Sequence, residues 1–136
     1  MAQWAPLKKD TLDALASEIM HNYGSGFALV AISAVEQETA TAFAAELGDS
    51  LEAAGRTVLS YVLDGSDDLP VRDDSTMFLV TGAAATDPSL AGHWNYSVWL
   101  EDSAAHGIDR TTRAAASAIV DVTDPEHPRR VFADSC

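Results

Sequence analysis

The sequence predicts an α/β fold: a small three-layer domain with about five parallel strands, spanning residues 1–136. Three observations carry this expectation. Short, continuous apolar runs recur along the chain, as in FALVAIS (27–33) and MFLVTG (77–82), and strands buried on both faces read this way. Stretches with apolar residues at spacings of three and four fall between them, the mark of helices with one buried face. Strands alternating with helices are joined most simply by right-handed crossovers into a parallel sheet. A chain of 136 residues, 47% of them hydrophobic, is long enough for one core.

Each element has its own local reason. Residues 11–22 form a helix, with Leu12, Leu15 and Ile19 on one face, Asp10 as a cap, and Gly24 and Gly26 as the stop. Residues 27–33 follow as the first strand. Residues 38–54 are a second helix, with Ala40, Phe43, Leu47 and Leu51 on its apolar face and Gly55 at its end. TVLSYVL (57–63) is rich in β-branched residues and reads as a strand. GSDDLPVRDDST (65–76) is polar and turn-rich, hence a loop. Residues 77–82, 96–101 and 117–122 complete the strands, with a short helix at 109–116. DPEHP (124–128) is a turn, and RRVF (129–132) a closing edge strand.

Composition narrows the function. Eight Lys and Arg face 21 Asp and Glu, a net charge of −13. Such a surface repels nucleic acid and anionic lipid, and neither is expected as a partner. No apolar run approaches the ~20 residues of a membrane span, and MAQWAPLKKD has no apolar leader core; the expected location is cytoplasmic. The lone cysteine, Cys136, makes no disulfide within the chain. The four histidines lack metal-ligand spacing, so neither metal nor cofactor is expected.

From about residue 27 onward the layout resembles the P-loop kinases, specifically the uridine kinase-like branch. VAIS precedes the loop position. LEAAGRTVLSYVLDG is similar to that family's helix end, turn and second strand with a closing Asp-Gly. FLVTGAAATDPSLAGHWNYSVWLE and ASAIVDVTDPEHPRRV resemble its later strands in the same order. The phosphate-binding loop is where the likeness breaks. A P-loop needs G-x-x-x-x-G-K-[ST], because backbone N–H groups wrap the phosphates and the lysine neutralises them. Here the pattern falls on residues 34–41, AVEQETAT. Both glycines are replaced, Ala40 stands for the lysine, and only Thr41 keeps the magnesium-binding hydroxyl. Glu36 and Glu38 bring negative charge instead, and a like charge at ~5 Å costs roughly 3 kcal/mol at an effective dielectric near 20. Thr81 stands where the family carries an acidic residue. The arginine-bearing lid is reduced to DSAAHGIDRTTR. The resemblance therefore implies the scaffold without phosphoryl transfer.

In a parallel sheet, ligands bind outside the carboxyl ends of the strands. The expected site is built from residues 33–39, 64–68, 81–86 and 101–106. Asp64 matches the family's Asp-Gly, where the resemblance implies an aspartate that activates a substrate hydroxyl. Glu36 and His106 join it as acid–base candidates. Glu38, Thr41, Thr81, His93, Trp94, Tyr96 and Glu101 are the ligand-binding candidates; for His93, Trp94 and Tyr96 the favoured alternative is that the two aromatics pack the sheet edge while His93 is exposed. Two readings stay open. One is a repurposed small-molecule site in a biosynthetic setting, with acid–base chemistry. The other is a catalytically inactive binding or scaffold protein, for which a homodimer is one arrangement.

Overall fold

The computed structural model describes residues 8–63, 75–82, 93–102, 116–124 and 126–131. Their order is α1 (Lys8–Tyr23), β1 (Ala28–Ala34), α2 (Gln37–Ala53), β2 (Val58–Val62), β3 (Met77–Thr81), β4 (Tyr96–Glu101), β5 (Ala118–Asp121) and β6 (Arg129–Val131). The strands form one sheet in the order β2-β3-β1-β4-β5-β6. The first five are parallel, and β6 closes the edge antiparallel to β5, with Asp121 opposite Arg129. The α/β class and the strand positions are as expected from the sequence. The antiparallel hand of β6 follows from its short connection, since a parallel neighbour needs a long crossover.

Both helices pack on one face. Leu12, Leu15 and Ile19 of α1 and Phe43, Leu47 and Leu51 of α2 meet Val30, Ile32, Leu79 and Val98 in the main core. A smaller cluster on the opposite face gathers Leu29, Leu63 and Val80, with Phe27, Phe78 and Trp94 against it. The described residues thus make two layers. The helix expected at 109–116 and the loop expected at 65–76 lie almost wholly outside them.

Two local devices hold the strands in place. Arg56 is 5% exposed, and its guanidinium donates to the main-chain carbonyls of Tyr23 (3.0 Å), Ser75 (2.8 Å) and Gly26. One planar fork thereby joins the end of α1, the entry to β1 and the entry to β3. Burial lowers the pKa of this guanidinium, yet it stays charged. Gly82 follows β3 with φ of +117°, and a Cβ there would lie 2.1 Å from the carbonyl oxygen of Leu63. Only glycine permits that approach, which the 2.7 Å bond from Leu63 N–H to the Thr81 carbonyl accompanies.

Candidate functional site at the strand ends

β1 lies between β3 and β4. The chain leaves β1 to build β2 and β3 on one side and lays β4 on the other side afterwards. The crevice beyond the carboxyl end of β1 is therefore the topological switch point, the usual ligand position in such sheets.

Only Val35 and Glu36 separate β1 from α2. Residues 37–41, which the resemblance assigns to the phosphate loop and its end, are all helical. Glu36 occupies the N-cap position in extended backbone without a side-chain capping bond. No non-glycine residue described has positive φ. Two residues cannot form the curved run of N–H groups that wraps a phosphate chain.

The first residue of α2, Gln37, faces this crevice. Its Nε2 donates to Thr41 Oγ1 at 2.9 Å and to Thr81 Oγ1 at 3.1 Å. Thr41 lies one helical turn further along α2, so i,i+4 spacing brings the pair together. Thr81 ends β3 and is 3% exposed. One amide thus ties α2 to the end of β3. It joins the two positions at which the kinase pattern would carry a metal-binding hydroxyl and an acidic residue. Both donor hydrogens of the amide are engaged. Beside it is a cavity of about 260 Å³ lined by Ser33, Ala34, Val35, Gln37 and Gly82, among others.

A larger cleft of about 420 Å³ opens between the starts of α1 and α2 and the β5–β6 turn. Leu12, Phe43, Val122 and Pro128 give it apolar walls; Lys8, Glu36, Glu38 and Glu46 give it charge. Thr11 donates to the Pro128 carbonyl at 2.8 Å, which fixes α1 against the turn. Lys8 pairs with Glu46 at 2.7 Å, and this hydrogen bond raises the lysine pKa. Lys8, the one cation among the described residues lining the cleft, is therefore paired, whereas Glu36 and Glu38 are exposed at its rim.

The expected site residues divide into three groups. Glu36, Glu38, Thr41 and Thr81 come together around the start of α2, and Glu101 ends β4 at the same side of the sheet, opposite Asp121. Asp64 and His106 lie outside the described residues. His93, Trp94 and Tyr96 stand at the amino end of β4, on the far side of the sheet from the switch point. They cannot share a pocket with Glu36. Trp94 packs in the smaller apolar cluster, and His93 is exposed.

Tyr96 is 6% exposed in the main core, and its hydroxyl donates to Glu18 on α1. Arg130 on β6 donates to the same carboxylate at 2.9 Å. The Arg130 hydrogen bond leads in lowering the Glu18 pKa; burial leads in raising that of Tyr96, followed by Glu18. This triad braces α1 against the sheet, so Tyr96 is structural. Gln37 was not singled out from the sequence, although its i,i+4 relation to Thr41 was readable there. Among the described residues, no group of three or more His, Cys, Asp or Glu is placed to hold a metal ion. No described helix is long and apolar enough to cross a membrane. Comparison with known proteins finds no matching family model, no similar curated protein and no matching solved structure.

Proposed function

We propose that this protein does not transfer phosphate and instead binds a small organic molecule at the carboxyl ends of its strands, on a scaffold of the uridine kinase-like type. The observation that carries this reading is the Gln37 amide, which donates to the hydroxyls of both Thr41 and Thr81 across the switch point. A neutral donor fills the position a cation would need. The two-residue connection leaves no wrap for phosphates, and Glu36 and Glu38 repel them. The adjacent cleft, about 420 Å³, falls within the size range of small-molecule sites. Its apolar walls and acidic rim suit an uncharged or cationic organic ligand. On this reading Glu36 serves as a proton acceptor, with Asp64 and His106 completing an acid–base set.

The test has two arms. Calorimetry with ATP and GTP, with and without magnesium, should give affinities no better than millimolar; micromolar binding of either would overturn the proposal. Native mass spectrometry of the purified protein should reveal a retained small molecule, lost in the Glu36→Gln/Glu38→Gln double variant. An inactive scaffold role is the second reading, favoured by one observation: β2 at the sheet edge exposes Leu59 and Val62.

A further inference from the structure

We propose that β2 is a self-association edge: two copies of this chain pair antiparallel through it, about a two-fold axis at Ser60, and join their sheets into one. β2 ends the sheet and has β3 as its neighbour. Two hydrogen bonds fix the direction of its main-chain groups. Met77 N–H donates to the Thr57 carbonyl at 3.0 Å, and Leu63 N–H donates to the Thr81 carbonyl at 2.7 Å. Along a parallel ladder, alternate residues turn both main-chain groups to the same side. Thr57, Leu59, Tyr61 and Leu63 therefore face β3. Val58, Ser60 and Val62 turn their N–H and C=O groups to the outer edge.

The described strand, VLSYV, carries neither of two residue types that keep sheet edges apart, charges and prolines. Leu59 and Val62 are 54% and 55% exposed. On a chain of net charge −13, an uncharged strip is where a second copy meets least repulsion. The strand is also complementary to itself. With Ser60 opposite Ser60, Val58 of each copy lies opposite Val62 of the other, and Leu59 lies opposite Tyr61. The hydrogen-bonded pairs of an antiparallel ladder then coincide with the outward-facing residues. Both exposed apolar side chains gain an apolar cross-strand neighbour. A shift of one residue would set outward-facing groups against inward-facing ones; a shift of two would shorten the overlap. Asp49 and Glu52 are exposed on α2, which packs over β2. Salt should therefore tighten the pair by screening these carboxylates, whereas it would weaken capture of a basic foreign strand.

Analytical ultracentrifugation of the full chain, from low micromolar to submillimolar protein, should show a monomer–dimer equilibrium that shifts toward dimer as salt rises. Amide hydrogen exchange followed by NMR should show protection of Val58, Ser60 and Val62 rising with protein concentration. Leu59 and Tyr61, already bonded to β3, should change little. The Leu59→Lys/Val62→Lys variant should be monomeric throughout, with an unchanged melting temperature at dilute concentration because both sites are exposed. A wild-type monomer at every concentration would overturn the proposal. So would a dimer that survives the double substitution, or protection that rises without alternating along β2. The exchange pattern decides the question on wild-type protein even if the variant folds poorly.

Discussion

Removing the Gln37 amide should uncouple α2 from the end of β3 by a measurable amount. Gln37→Ala deletes two neutral hydrogen bonds, one exposed and one half-buried. It also strips the donor from the Thr81 hydroxyl, whose residue is 3% exposed. A net hydrogen bond contributes about 1 kcal/mol, and a buried group left without its partner costs about 1–3 kcal/mol. The single variant should therefore lose about 2 kcal/mol. Thr81→Val keeps the shape and removes Oγ1, and should lose about 1 kcal/mol. If the two side chains act through their shared 3.1 Å bond, the double variant should lose about 2 kcal/mol rather than the additive ~3, a coupling near 1 kcal/mol. Urea unfolding of the four proteins, at matched m-values, measures this cycle. A coupling energy below about 0.3 kcal/mol would mean additivity and would refute the tie on which the proposed function rests.

Other substitutions test the frame around the site. Arg56→Met should cost about 3–4 kcal/mol and lower the melting temperature by roughly 10 °C, since three carbonyls lose a charged donor at once; Arg56→Lys should recover little, because one ammonium cannot span the same fork. Calorimetric melting checks both. Gly82→Ala should destabilise by at least about 2 kcal/mol, from positive φ and the contact with Leu63. Gly48→Ala should do the reverse and stabilise by about 0.5–1 kcal/mol, because its Cβ would meet Leu79 at an ordinary 3.5 Å in a helix interior. The Glu18 pKa lies below its ordinary 4.5 in the fold, so its contribution is full above that pH and is lost as acid is added and the unfolded state protonates first. Glu18→Gln should accordingly lie furthest below wild type near neutral pH and converge with it in acid, as denaturant titrations across pH would show.

The strands and helices were legible because their signals are local. FALVAIS announces a doubly covered strand wherever it stands, and Phe43, Leu47 and Leu51 mark one helical face without knowing what they pack against. That the β1–α2 connection is no phosphate-binding loop was legible too, since AVEQETAT carries neither the glycines nor the lysine such a loop needs. What occupies that connection was only half legible. The i,i+4 relation of Gln37 to Thr41 is written in the sequence, but the meeting with Thr81 depends on β3 lying beside β1, a tertiary fact. Tyr96 left a choice that tertiary structure decides. Its place beside His93 and Trp94 allowed a shared pocket or, the favoured alternative, packing at the sheet edge; strand direction puts that group at the amino ends, and alternation turns Tyr96 to the helices and Glu18. Arg56 read as part of a turn, because no local pattern reveals three carbonyls converging from Tyr23, Gly26 and Ser75.

The central place of β1 also sets a timetable. Its partners are β3, beginning at Met77, and β4, beginning at Tyr96; no hairpin supplies a nearby neighbour. Contacts so distant in sequence close slowly, because the entropy of the intervening chain is lost before the ladder forms. During synthesis the run ALVAISA therefore emerges long before either flanking strand exists. Until residue 101 has left the ribosome, it can be covered on one face by α1 and α2 and bonded on at most one edge. The interval in which this segment is exposed, rather than the stability of the finished fold, is what chaperones and aggregation would act upon.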